Sequence, residues 1–162
     1  CLLRVGEESV GAWFLIEHRK HRFYRSSQIL LIMFLHKELS NKIIGAFYNV
    51  YNNLGFGFLE KVYENALLFE LKNMRLKCEK QKPIKVKYHG VTVGEYFADI
   101  IVENKIILEL KATEDICEEH ELQLINYLKA TEIEIGLLLN FGKKPEFKRK
   151  IFTNNKKSEN IG

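Results

Sequence analysis

Three ionisable residues, Asp99, Glu109 and Lys111, lie in two apolar runs that flank the short polar segment 103–105. Apolar runs separated by such a segment are typical of a β-hairpin. Both faces of each arm are apolar, which indicates strands that are buried on both sides. Because unpaired charges are costly to bury, three of them in one hairpin need a chemical explanation.

The pairing of the hairpin suggests one. If residues 103–105 form the loop, Val102 faces Ile106 and Asp99 falls opposite Glu109. Since side chains alternate along a strand, Asp99, Glu109 and Lys111 then share one face. Two carboxylates beside an ammonium group predict a divalent-metal site, and such oxygen ligands suit Mg²⁺ or Mn²⁺. The alternative is a buried salt bridge between Lys111 and the acids, and the residues alone leave both interpretations open.

The periodicity of the surrounding sequence predicts the elements that position this hairpin. Ser40 is the expected N-cap of a first helix, whose apolar residues follow a helical stripe. The order of elements is α, α, β, β, β, α, β, which gives a mixed sheet with helices packed on it. After the first helix the predicted elements are a helix over 58–74, strands over 76–88, 91–102 and 105–112, a helix over 117–130, and strands over 133–140 and 147–152.

A chain of 162 residues is long enough for one domain with a substantial core. We predict that this domain spans residues 40–152. Residues 1–39 are an N-terminal extension without a clear period, and a polar tail that we expect to be disordered runs from Thr153 to Gly162.

Charge is unevenly distributed along the chain. The net charge is only +4, but residues 75–87 carry six Lys or Arg against one Glu. Four lysines of this run, Lys80, Lys82, Lys85 and Lys87, are candidates for contacts with nucleic-acid phosphates. The alternative is that the run is an ordinary solvated face.

Cysteine usage and hydropathy indicate the compartment. Cys1, Cys78 and Cys117 form no framework pattern, which favours reduced thiols and hence the cytoplasm. The longest apolar run near the start is much shorter than the roughly 20 residues of a membrane-spanning helix, so we expect no membrane association.

Three motifs resemble those of one nuclease superfamily. Asp99 followed by Glu109-Leu110-Lys111 resembles the PD-(D/E)XK signature. Residues 57–63, GFLEKVY, fit the G-x-x-E-x-x-Y motif of the GxxExxY protein family, which is similar to those nucleases. Gln123 and Tyr127 resemble the Q-x-x-x-Y motif of RecB-type nucleases. The resemblance covers residues 40–152 and implies a restriction-endonuclease-like αβββαβ core with a mixed central sheet flanked by helices.

The resemblance also implies an activity, a Mg²⁺- or Mn²⁺-dependent hydrolysis of DNA, and its site. Asp99 and Glu109 would hold the metal, with Glu60 and the carbonyl of Leu110. Lys111 would serve the reaction, and two further residues would position the substrate backbone: Gln123 and Tyr127. The alternative is a module that binds nucleic acid or assembles with partners on the same fold without catalysis.

The remaining motif residues also have structural interpretations. Gly57 lets the backbone turn before the second helix, and Glu60 and Tyr63 share one face of it. Glu60 is also an ordinary first-turn glutamate favoured by the helix dipole, because its neighbour Glu64 is expected at the surface. His120 shares a face with the Q-x-x-x-Y pair and is more often a bystander than a catalyst.

Overall fold

The computed structural model of the chain describes Ser27, Leu30, Leu31, Phe34 and residues 36–158, except the side chains of residues 156 and 158. The chain divides into two compact units, Cys1–Glu38 and Leu39–Gly162. The second unit contains every strand among the described residues and every candidate site residue. The predicted extension over residues 1–39 lies mostly outside the described residues, and the predicted domain limits stay predictions.

A mixed sheet of five strands, in the order β1-β2-β3-β4-β5, forms the centre of this unit. Neighbouring strands are antiparallel except β3 and β4, which are parallel and are joined through helix α3. This arrangement confirms the predicted αβββαβ core. The elements are α1 Lys37–Leu54, α2 Glu60–Asn73, β1 Cys78–Tyr88, β2 Val91–Val102, β3 Ile106–Lys111, α3 Glu118–Lys129, β4 Ile135–Phe141, β5 Pro145–Ile151 and α4 Asn154–Ser158.

Helices cover both faces of the sheet. All seven residues of β4 are buried, as expected for a central strand whose sequence is apolar except for Asn140. Phe141 packs on Phe47 of α1 and Tyr63 of α2, with ring centroids 4.7 and 4.3 Å apart. Leu138 instead belongs to the apolar cluster that includes Leu124 of α3. Because Leu138 and Phe141 are three residues apart in a strand, they point to opposite faces.

The edge strand β1 is irregular, and the edge strand β5 is short. In β1, Gln81 has a φ of 50° and is left out of the ladder with β2, Pro83 lacks an N–H group, and the register shifts between Val86 and Lys87. The other edge strand, β5, begins at Pro145 and contains three consecutive basic residues. Proline and irregular backbone are typical of edge strands.

Two local predictions are wrong. Helix α1 begins at Lys37, so Ser40 is not its cap; it is buried, and its hydroxyl has no hydrogen-bond partner among the described residues. The tail is not disordered throughout, because Asn154–Ser158 form a short helix. The Asn154 N–H donates to the Glu134 carboxylate at 2.6 Å, and Lys157 Nζ donates to the Thr131 carbonyl at 2.6 Å. Residues 159–162 lie outside the described residues.

Candidate active site

The hairpin of β2 and β3 pairs as predicted near its loop. Val102 faces Ile106, but the ladder ends after the pair of Ile100 with Leu108. At the next position the Asp99 carboxylate accepts the N–H of Leu110, with Oδ2 and N 2.8 Å apart. The expectation that Asp99 continues the ladder opposite Glu109 is therefore wrong. The Asp99 side chain instead satisfies a backbone donor of β3 at the point where the pairing stops.

Glu109 is the most deeply buried carboxylate of this group, with 3% of its surface exposed. Its Oε1 accepts Lys111 Nζ at 2.8 Å, whereas its Oε2 has no hydrogen-bond partner among the described residues. Burial raises the pKa of Glu109 to about 7, and the neighbouring charge of Asp99 adds to the rise while Lys111 opposes it. Glu109, Asp99 and Lys111 are thus close enough to influence one another. The ion pair of the alternative interpretation is present too, but Lys111 pairs with Glu109 and not with Asp99.

Asp99 is half-buried, and burial raises its pKa above the ordinary value, although the Leu110 N–H opposes the rise. Its Oδ1 accepts Gln81 Nε2 at 3.3 Å. The same nitrogen lies 3.4 Å from Glu64 Oε1. A glutamine with a left-handed backbone in an edge strand therefore bridges two carboxylates. No pattern in the sequence indicates this role for Gln81.

Glu64, which we expected at the surface, is buried with 4% of its surface exposed. Lys61 Nζ and Lys80 Nζ each lie 3.2 Å from its carboxylate. Two cations and the Gln81 amide compensate for the desolvation of this charge. The sequence did carry a signal, because Glu64 precedes the buried Leu67 and Leu71 by three and seven residues on one helix face.

Helix α3 places Gln123 and Tyr127 beside the hairpin. Lys111 Nζ donates to Gln123 Oε1 at 3.1 Å, and Gln123 Nε2 donates to the Tyr127 hydroxyl oxygen at 2.6 Å. Burial raises the pKa of Tyr127, so its hydroxyl stays protonated. The Q-x-x-x-Y pair and the E-x-K lysine therefore form one hydrogen-bonded chain, as i, i+4 spacing on a helix permits.

The G-x-x-E-x-x-Y segment forms the entrance to α2. Tyr63 is buried, and its hydroxyl donates to the Gly55 carbonyl at 2.8 Å and accepts the Phe58 N–H at 3.2 Å. Gly57 has a φ of 106°, a conformation that favours glycine. Tyr63 and Gly57 therefore hold the loop that leads into the first residue of α2, Glu60.

Glu60 is exposed and faces a cleft of about 490 Å³. Asp99 and Leu110 line the same cleft. The charge of Glu60 also raises the pKa values of Glu109 and Lys111. Glu60 therefore lies on the same cleft as Asp99, close enough for its charge to act on Glu109 and Lys111.

The backbone after Lys111 is held by β4. The buried Asn140 accepts the Thr113 N–H and donates to the Thr113 carbonyl, both at 3.0 Å. A Cβ at Gly142 would lie 2.0 Å from the Thr113 carbonyl oxygen, so only glycine allows this close approach. Sequence reasoning missed both residues, because nothing in the pattern links them to a segment nearly 30 residues earlier.

The four candidate lysines differ in their surroundings. Lys80 is engaged with Glu64, and Lys82 lies 3.0 Å from the Glu79 carboxylate. Lys85 and Lys87 are exposed.

His120 has a local structural contact, since its Nδ1 accepts the N–H of Cys117 at 3.4 Å at the start of α3.

The donor set fits Mg²⁺ only in part. No group of three or more His, Cys, Asp or Glu side chains that could hold a metal ion occurs within the described residues, so the predicted three-carboxylate set with Glu60 is not assembled. Mg²⁺, however, commonly binds through one or two carboxylates together with water and substrate phosphate. Glu109 Oε2, which is buried and has no hydrogen-bond partner among the described residues, and the nearby Asp99 would supply that smaller set.

Comparison with protein-family models assigns the chain to a superfamily. The model of the PD-(D/E)XK nuclease superfamily matches residues 37–150. The chain belongs to the PD-(D/E)XK nuclease superfamily. The matched range includes the residues of all three motifs. The five-stranded mixed sheet flanked by helices is consistent with the superfamily fold.

Further comparisons add little to the superfamily assignment. No curated protein matches the chain at a significant level. Among solved structures, the chain is similar to the crystal structure of SSO0001, with 21% identity and a TM-score of 0.44 over 58% of this chain and 50% of that one. The chain thus spans about half the length of that structure. Within the described residues of this superfamily member, no helix has the length and apolar character needed to cross a membrane.

Proposed function

We propose that this protein is a Mg²⁺- or Mn²⁺-dependent nuclease of the GxxExxY type that hydrolyses phosphodiester bonds of DNA in the cytoplasm. Members of the superfamily are usually nucleases. The observation that supports the proposal best is the buried carboxylate of Glu109, which lies near Asp99 and 2.8 Å from Lys111 Nζ and has one oxygen without a hydrogen-bond partner among the described residues. Burying such a group costs stability, and a bound cation would offset that cost.

Asp99 and Glu109 would hold the metal with the Leu110 carbonyl, and Glu60 would add negative charge from the side of the cleft. The bound cation would lower the pKa of a water molecule and stabilise the charge that develops on the phosphate. Lys111 would orient the attacking water and add positive charge at the phosphate.

Gln123 and Tyr127, as in RecB-type nucleases, would position the substrate backbone and hold Lys111 through the hydrogen bonds described above. The exposed Lys85 and Lys87 would contact phosphates without reading sequence.

The test is cleavage of labelled single- and double-stranded DNA by the purified protein, with Mn²⁺ and with EDTA. Lys111→Met should abolish cleavage and leave DNA binding largely intact, because the ammonium group serves the reaction more than affinity. Lys105→Met is the matched control, since Lys105 is an exposed lysine in the loop of the same hairpin. Undiminished cleavage by Lys111→Met would refute the assignment.

A non-catalytic module that binds nucleic acid is the second candidate. It is favoured by the lack of a three-carboxylate cluster among the described residues and by the ion pair that already neutralises Glu109 in part. Calorimetric titration with Mn²⁺ separates the two candidates. A nuclease should bind Mn²⁺ and lose that binding in Asp99→Asn, whereas a non-catalytic module should bind DNA equally well with and without the metal.

A further inference from the structure

Tyr96 of β2 is an aromatic residue that none of the motifs includes. Half of its surface is exposed, yet its ring centroid lies 5.8 Å from that of the buried Tyr127, at an interplanar angle of 47°. Tyr127 in turn bonds to Gln123, which bonds to Lys111. One side of the Tyr96 ring therefore adjoins the candidate active site while much of the side chain stays open to solvent.

The surroundings of Tyr96 leave room beside the ring. Tyr96 pairs with Ile84 and precedes Ala98 by two residues, and both belong to the cluster on the α3 face of the sheet. Gly94, two residues earlier on that face, carries no side chain. A Cβ at Gly94 would lie 3.9 Å from Tyr96 Cε2 and equally far from Val86 Cβ, so the ring edge lies over Gly94 and beside the half-buried Val86. We call this surface of Val86, Gly94 and Tyr96 the shelf.

The charge around this shelf suits a polyanion. Residues 82–98 carry three lysines and one glutamate. Lys82 pairs with Ala98, which places it on the same face as Tyr96, where its Nζ lies 3.0 Å from the Glu79 carboxylate. Lys85 and Lys87 are exposed on the same strand. Exposed aromatic rings combined with basic side chains are the features that bind single-stranded nucleic acid, because the rings stack on bases and the cations contact phosphates.

We propose that Tyr96 stacks on an unpaired base of the nucleotide next to the phosphate held at Lys111, so that the substrate is single-stranded. In a duplex each base is already stacked on its neighbours and paired, and its face is not available to Tyr96. The inference rests on the proposed nuclease function for the place of the phosphate, but stacking itself requires only binding.

The experiment measures binding in EDTA, where no cleavage occurs, to single-stranded oligonucleotides that carry one abasic residue at successive positions. Stacking of a base on an aromatic side chain contributes about 5- to 150-fold in affinity. For the natural protein and for Tyr96→Phe, an abasic residue at one position should weaken binding by that factor. Tyr96→Leu still covers Tyr127 but has no aromatic face. It should bind the intact strand as weakly as the natural protein binds the abasic strand, and an abasic residue should not weaken its binding further.

Tyr88→Leu is the control, because Tyr88 is an exposed tyrosine at the end of β1, next to the turn into β2, and this variant should keep the sensitivity. Thermal melting of each variant checks that the fold is retained. Equal binding by Tyr96→Leu and the natural protein, or an abasic penalty that survives in Tyr96→Leu, would overturn the inference. The inference would also be overturned if the natural protein bound neither DNA strands nor RNA strands.

The outcomes also separate the inference from the proposed function. Tyr96-dependent stacking without cleavage in Mn²⁺ would support the stacking site and refute the nuclease. Cleavage of DNA without Tyr96-dependent stacking would support the nuclease and refute the inference.

Discussion

Replacing Glu109 with Gln keeps the shape of the side chain and removes its charge. The pKa of Glu109 rises from 4.5 to about 7 in the folded protein, and each pKa unit corresponds to 1.36 kcal/mol, so ionised Glu109 destabilises the fold by about 3 kcal/mol. Because the pKa of Glu109 is higher in the folded state, protonation of Glu109 stabilises the fold by this amount below pH 4.5. This contribution is lost as the pH rises through 7. Without metal, Glu109→Gln should therefore match the natural protein within about 1 kcal/mol at pH 5 and exceed it by about 3 kcal/mol at pH 8.

The assay is urea unfolding in EDTA from pH 5 to pH 8, with Glu118→Gln, an exposed carboxylate of α3, as the control that should show no such trend. Adding millimolar Mg²⁺ or Mn²⁺ at pH 8 should stabilise the natural protein by about 1.4 kcal/mol for an affinity of roughly 0.1 mM, and should not stabilise Glu109→Gln. A stability difference that is independent of pH would refute the reasoning about burial. A variant that is less stable at pH 8 by about 3–5 kcal/mol would show that the ion pair with Lys111 is architectural.

Two further substitutions test the neighbouring groups. Asp99→Asn should leave the metal-free fold at least as stable as the natural protein in urea unfolding, because its oxygen can still accept the Leu110 N–H, and should remove the stabilisation by Mn²⁺; loss of several kcal/mol without any metal effect would contradict this. Replacing Lys85 and Lys87 with Ala should lower the slope of log affinity for DNA against log salt by about two, since each lost phosphate contact lowers it by about one. The same change at Lys80 and Lys82 should lower the slope less, because these two have carboxylate partners within the protein; equal slopes for both pairs would contradict this.

The sequence predicted the elements and the register near the hairpin loop, because both depend on local information. Apolar runs of β length, a helical stripe and the short loop after Val102 each act over a few residues. The start of α1 was predicted one turn too late, since Ser40 is a good N-cap by residue type while its position on the helix faces the core. Tertiary burial overrode local preference there.

The site was predictable in its charged residues and not in their contacts. Asp99, Glu109 and Lys111 stand out because charges are rare in doubly buried strands. Where the β2–β3 ladder ends depends on how the sheet bends, and so does the bond from Leu110 to Asp99. Gln81 was not predictable, because its bridging position depends on a left-handed backbone that residue type does not indicate.

The two edge strands of the sheet bear on how the protein behaves when it is concentrated. A regular exposed edge offers a row of unsatisfied N–H and C=O groups that can template pairing with a second chain and lead to aggregation. In β1 that row is interrupted at Gln81, again at Pro83 and again at the shift after Val86. On the opposite edge, β5 is only seven residues long, starts with Pro145 and contains Lys148 and Lys150, which pair with Glu121. Neither edge of the described sheet is therefore suited to extension by a neighbouring molecule, and any self-association through this unit should use helices or sheet faces.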